Sequence, residues 1–193
     1  GWKKGSIPAY TMPKPVNPAT TEINFIDMPN AVQSEIAVIN NIDLKLGDKD
    51  YYAALMANNI LGGGGEGYLF KNLREDKGYT YGAYSSLGAN RYGVGRFNAS
   101  AKVRNVVTDS AVVEFLYEIK RIRTETVQAQ TLTDAKAKYV GNFVMALERP
   151  QTIANYALNI KRNNLPEDFY ANYLENIKFV KVVFNYMLKY KNW

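Results

Sequence analysis

Four consecutive glycines, Gly62 to Gly65, followed by Glu66 and Gly67, divide the chain between two segments of helical periodicity. Glycine loses more backbone freedom on ordering than any other residue, so no regular element runs through the stretch. Before it, Tyr52, Leu55, Met56 and Asn59 recur at helical spacing behind Asp48, a good N-cap, which predicts a helix over 48–61. After it, Leu69, Phe70 and Leu73 predict a second helix, with Gly78 as its C-terminal cap.

Strand signals flank this helical pair. Ile23, Phe25 and Met28 alternate, Pro29-Asn30 marks a turn, and the β-rich run Ile36-Ala37-Val38-Ile39 follows, so 21–40 reads as an antiparallel hairpin. Tyr79, Tyr81, Leu87, Val94, Phe97 and Val103, broken by glycines near 88–95, read as a second hairpin. From about 105 onward the pattern is helical. Val112, Phe115, Leu116, Ile119 and Ile122 make one stripe. Thr131 and Asp134 look like a capping box before Tyr139, Val140, Phe143, Val144 and Leu147. Pro150 opens a helix that buries Ile153, Ala154, Ala157 and Ile160, and Pro166 opens another through Phe169, Tyr170, Tyr173, Leu174 and Ile177. Two strand pairs separated by helices, with helices behind, give an α+β fold: an antiparallel sheet backed by a helical layer. Such a sheet can leave one face free to meet a partner. The first twenty residues, with Pro8, Pro13, Pro15 and Pro18, read as a linker, leaving 21–193 as one domain. The chain opens on Gly1 rather than Met, so it reads as a piece of something longer.

Composition removes several chemistries. There is no histidine and no cysteine, so the chain by itself cannot hold a catalytic zinc, use a histidine base or form a disulfide. Apolar residues make up 47% of the chain, which suffices for a core, but the apolar runs are too short to span a membrane. The net charge of +6 would suit nucleic acid or an anionic membrane. Basic residues are scattered among acids, as in Arg74-Glu75-Asp76-Lys77, and no basic stripe is visible, so a solvated surface is the better reading and no nucleic-acid partner is expected.

Residues 62–67 match G-x-G-x-x-G by letter. A dinucleotide site needs a strand before the loop and an acid about twenty positions on, whereas here a helix precedes and no acid follows Asp76 until Asp109. A phosphate-binding P-loop needs Gly-Lys-Ser/Thr, but Tyr68-Leu69 follows Gly67. Two readings stay open: a joint between helices, or a backbone surface that another chain approaches closely. Arg74 and Tyr81 stand just beyond. An always-charged guanidinium and a neutral phenol converging on one spot can hold a carbonyl oxygen as it becomes an oxyanion. Spacing alone favours a surface arginine and a core or cross-strand tyrosine, since the chain has 15 tyrosines.

The stretch Asn59 to Gly82 changes that balance. It carries a Leu-Gly-Gly-Gly loop, then Leu69-Phe70, Leu73-Arg74-Glu75 and Gly78-Tyr79-Thr80-Tyr81. In this order it resembles the signature of the inverted-motif zinc peptidases: pitrilysin, insulin-degrading enzyme and the mitochondrial and bacterial processing peptidases. The similarity extends from about 21 to about 177, including Pro29-Asn30 and Glu148-Arg149-Pro150.

The resemblance implies a fold and a role. Family members pair two homologous domains, one holding an H-x-x-E-H zinc helix, the other closing over the substrate. This chain resembles the second, the C-terminal non-zinc half, inactive alone. The implied catalytic residues are Arg74, gripping substrate beyond the scissile bond, and Tyr81, donating to the carbonyl. Gly62, Gly63, Gly64 and Gly65 would lie along the substrate chamber, with no metal in this chain and zinc in the partner domain. Closure of the chamber would then gate catalysis. The alternatives are a separate non-catalytic subunit or a scaffold protein beside a zinc-bearing subunit. The substrate would be a peptide, and family habit places such proteins in the periplasm or cell envelope. One departure is the tail 178–193, aromatic and basic, where the last strand of the family sheet looks missing.

Overall fold

The alternation of buried and exposed residues along Gly95–Arg104 sets the layering. The computed structural model describes residues 5, 6, 8, 9 and 11–181. Three strands, β1 (Gln33–Ile42), β2 (Thr80–Gly88) and β3 (Gly95–Arg104), form an antiparallel sheet in the order β1-β3-β2. Phe97, Ala99, Ala101 and Val103 are buried on one face of β3. Arg96, Lys102 and Arg104 stand on the other, because successive side chains of a strand point to opposite faces. The helices are α1 (Tyr51–Gly62), α2 (Tyr68–Phe70), α3 (Thr108–Thr124), α4 (Ala129–Ala146), α5 (Pro150–Asn163) and α6 (Tyr173–Phe179). A π-helical turn, Lys71–Asp76, continues α2. Met56, Leu61, Leu69, Leu73, Phe115, Ile122 and Ile177 join the buried face of β3 in one core. The fold is the α+β layer that the pattern implies, one sheet face covered by helices and one open.

Several local expectations are corrected. Residues 21–28 form no strand, and the hairpin over 21–40 does not exist. Ala31 N–H closes a turn onto Met28 O, but Ile23, Phe25 and Met28 are exposed and no strand lies beside them. β1 pairs instead with β3, from Gln33 opposite Arg104 to Ile42 opposite Gly95, and so satisfies its backbone there. Beyond Asp48, the first helix begins at Tyr51 with Asp50 at the cap position, because the Asp48 carboxylate accepts from Lys45 N–H at 2.8 Å.

Thr131 and Asp134 lie inside α4, which starts at Ala129. The good helix formers Ala129 and Gln130 extend it upstream, and Asp134 accepts from Gln130 rather than capping. Pro150 does open α5, but no residue of α5 is buried: Ile153, Ala154 and Ala157 are exposed and Ile160 is half-buried. That helix lies at the periphery, where the Tyr156 ring stacks on Phe143 at 5.6 Å and on Tyr170 at 3.8 Å. Leu116 and Val144 are exposed as well. From Pro166 the chain runs in turns until α6 begins at Tyr173, burying Phe169, Tyr173 and Ile177. The readings of the tail from 182 onward lie outside the described residues.

Candidate functional site

The candidate site starts on the π-helical turn. Its wider ring is visible in the backbone bond from Lys77 N–H to Asn72 O at 3.0 Å, five residues back. Asn72 fixes the turn from below. Its amide Nδ2 donates to Glu114 Oε2 at 2.9 Å and to Glu118 Oε1 at 2.8 Å, both on α3. Glu118 is only 2% exposed, and Arg121 Nη1 completes its set at 3.3 Å. Gly78 then ends the turn at φ 62°, where a side chain would be strained. Leu73 points into the core while Arg74, next along, stays exposed with its guanidinium carbon 5.1 Å above the Phe70 ring.

The Asn72 bond, and after it the ion pair with Lys77 at 3.1 Å, hold the Glu114 carboxyl below its ordinary value of 4.5. A depressed folded-state value contributes stability that is complete above about 4.5 and lost as pH falls below it. Melting temperature therefore falls on acidification through that range, and Glu114→Gln shows a shallower fall, as differential scanning fluorimetry across pH can check.

Tyr81 sits on β2, an edge strand. The ladder pairs Thr80 with Val103 and Ala83 with Ala101, so Tyr81 and Gly82 together oppose the single residue Lys102. This is a β-bulge, a device that re-aims a side chain. Thr80 braces it: its Oγ1 donates to Lys102 O at 2.6 Å, lies 3.0 Å from Gly82 O, and accepts from Gly82 N–H at 3.1 Å. Val103 and Ala101 are buried, so the two residues between their partners, opposite outward-facing Lys102, fall on the open face. Tyr81 is accordingly 88% exposed. On that face the Tyr84 ring lies over the Gly82 α-carbon, where any Cβ would strike it at 2.7 Å, and its centroid is 5.9 Å from that of Phe70. Arg74 is thus linked through Phe70 to the Tyr84 ring, which covers Gly82, the residue next to Tyr81. Neither Arg74 nor Tyr81 packs in the core.

The four glycines divide by task. Gly62 is buried at the end of α1, and a Cβ there would overlap the Ser85 backbone N and side-chain Oγ on β2. Gly63 and Gly65 are exposed, Gly64 adopts φ 154°, and a Cβ on Gly65 would only touch the Phe70 ring at 3.8 Å. The loop also rims a cavity of about 250 Å³ toward α4, closed on one side by the Lys138–Glu66 pair at 3.5 Å.

Residues 1–139 match the family described as the peptidase M16 inactive domain. The chain belongs to that family. The M16 inactive-domain match agrees with the resemblance read from Asn59 to Gly82. Among solved structures, the fold is similar to a peptidase M16 inactive domain from Pseudomonas fluorescens, at TM-score 0.74 and 21% identity over 84% of this chain and 38% of that one. A protease from Helicobacter pylori gives TM-score 0.76 and 16% identity over 86% and 40%. The periplasmic protease PqqL from Escherichia coli gives 0.68 and 14% over 84% and 18%. The chain therefore spans about two fifths or less of the length of these relatives. No curated protein matches it.

Without histidine or cysteine, only carboxylates remain as strong donors, and no three of them gather among the described residues. No helix there is long and apolar enough to cross a membrane.

The 15 tyrosines also sort themselves. Tyr173 is buried and Tyr51 and Tyr139 pack half-buried against the core, where burial pushes the Tyr51 hydroxyl up to about 12 and also raises Tyr139 and Tyr173. Tyr81, by contrast, is exposed, as are Tyr84, Tyr92 and Tyr117.

Sequence reading missed the Phe70–Tyr84 bridge, the Asn72 anchor and a basic face. Arg96, Lys102 and Arg104 look scattered in the sequence, but period-two alternation brings them onto one side of β3. Applying that period to 95–104 would have found them.

Proposed function

We propose that this chain is the non-zinc, substrate-binding half of a two-domain zinc peptidase. Its open sheet face and the Arg74–Tyr81 surface form one wall of a closing chamber. The observation that carries the reading is the bulge at Tyr81 and Gly82, which leaves an edge-strand tyrosine exposed next to Gly82, under the Tyr84 ring that Phe70 links to Arg74.

Arg74 holds a substrate carbonyl or carboxylate through its fixed donors. The Tyr81 hydroxyl donates to the scissile carbonyl oxygen as charge grows on it. The exposed backbone of Gly63 and Gly65, beside Phe70, lines the same wall, while Gly62 supports it from below. The zinc-bearing domain, in the same parent chain or a separate subunit, supplies the metal chemistry. Residence in the periplasm accords with the compartment of PqqL.

Reconstitution tests this reading. The chain alone, with or without added zinc, cleaves no fluorogenic peptide. Mixed or fused with the zinc-bearing half from its parent gene, it yields a peptidase whose activity neither part shows alone. Peptidase activity of the isolated chain, or full activity of the zinc half without it, would overturn the reading. Arg74→Ala in the pair raises KM strongly and leaves the melting temperature unchanged.

A further inference from the structure

The open sheet face carries a charge pattern that specifies its ligand. Among its outward positions the strands present Arg96, Lys102 and Arg104 against a single carboxylate, Glu35. That is three cations to one acid, while the whole chain holds 24 to 18. Glu35 reaches only Lys102, at 4.0 Å, with both side chains well exposed, so it neutralises little. Arg96 and Arg104 form no ion pair among the described residues.

Two of these three cations lie beside the candidate site. Lys102 lies opposite the bulge that presents Tyr81, Arg104 follows two residues on, and its N–H bonds Tyr79 O at 3.4 Å. Arg74 borders the same surface through Phe70 and Tyr84. Arg96 stands at the far end of β3, about 26 Å away at the usual rise per residue. The remaining outward positions, Asn98, Ser100 and Ser86 among them, are mostly small or polar, with Ile39 on β1 the exposed apolar exception.

We propose that this face selects extended peptides carrying Asp or Glu within a few residues of the bond to be cleaved, held by Lys102, Arg104 and Arg74. This inference rests on the reading of the face as a chamber wall. Charge complementarity carries it: a cation cluster beside Tyr81 attracts carboxylates and repels lysine-rich segments.

The test uses three decapeptides of equal length, rich in Glu, in Lys, or neutral, with a single-stranded oligonucleotide as a fourth probe. Binding is read by fluorescence anisotropy on the chain itself, and cleavage on the chain paired with its zinc-bearing half. The Glu-rich peptide binds about tenfold more tightly than the neutral one at low salt, and the advantage shrinks towards about twofold at 0.5 M salt. Lys102→Glu with Arg104→Glu abolishes or inverts the preference, chiefly in KM, while Arg96→Gln changes it less.

Equal binding of all three peptides, a preference for the Lys-rich one, or an unchanged preference in the double variant would overturn the proposal. Tighter binding of the oligonucleotide would do so too, assigning the face to a nucleic-acid backbone. The two readings fail separately. Loss of charge preference with Tyr81-dependent cleavage intact removes only the specificity, whereas acidic-peptide binding without any reconstituted cleavage removes only the peptidase role.

Discussion

Tyr81→Phe in the reconstituted peptidase lowers kcat by about 10²-fold, changes KM little and leaves the melting temperature where it was. The size follows from what is removed. A donor aimed at an oxyanion acts mainly in the transition state, and deleting one such donor typically costs about 10²–10³ in rate. Removing an interaction made only there lowers kcat and kcat/KM together. Stability is unaffected because Tyr81 is exposed and the substitution keeps the ring. The bulge itself is held by Thr80 and by the ladder on either side, none of which involves the hydroxyl. Tyr92→Phe, in the turn between β2 and β3, serves as the control and retains wild-type kinetics. Steady-state kinetics at several substrate concentrations separates the two constants. Wild-type kcat in Tyr81→Phe would remove Tyr81 from the chemistry, and a fall in melting temperature would mean its hydroxyl is structural.

Much of this surface could be read before the fold was known, because the signals are local. Gly78 after a helical run and Pro150 before one each depend on a few adjacent residues and on backbone rules that tertiary contacts rarely reverse. The order of glycine loop, Arg74 and Tyr81 was legible through family resemblance, whereas spacing alone left it ambiguous. The failures were non-local. Residues 21–28 alternate like a strand, yet a strand needs a neighbour, and β1 takes β3 instead. Ile153, Ala154 and Ala157 have helical spacing, but burial depends on what packs against α5, and that helix meets the rest of the protein through Tyr156, Asn159 and Ile160 instead. The bulge could not be seen either. It arises from the register between Thr80 and Ala83 relative to β3, which no motif in Tyr79-Thr80-Tyr81-Gly82 announces.

Gly62→Ala is expected to destabilise the chain although it sits in a helix. Alanine in place of glycine in a helix interior gains about 1 kcal/mol of propensity. Against this, the new methyl would occupy the space of the Ser85 backbone N, and that backbone is pinned within the sheet opposite Ala99. Overpacking of this kind costs typically about 1–3 kcal/mol, and a backbone neighbour cannot swing aside as a flexible side chain can. Asn58 and Ser85 tie the same contact together, with Ser85 Oγ donating to Asn58 O at 3.3 Å, so a shift there also disturbs a buried polar pair. The overlap outweighs the propensity gain, and each net kcal/mol lowers the melting temperature by roughly 2–4 °C for a chain of this size. Gly65→Ala gives the contrast. Its added methyl only touches Phe70 at 3.8 Å, and its melting temperature stays level or rises slightly. Because that methyl stands on the proposed chamber wall, KM of the reconstituted peptidase rises. Thermal melts of both variants therefore separate a glycine kept for internal packing from one kept for what it faces. An unchanged melt for Gly62→Ala would return Gly62 to the second class.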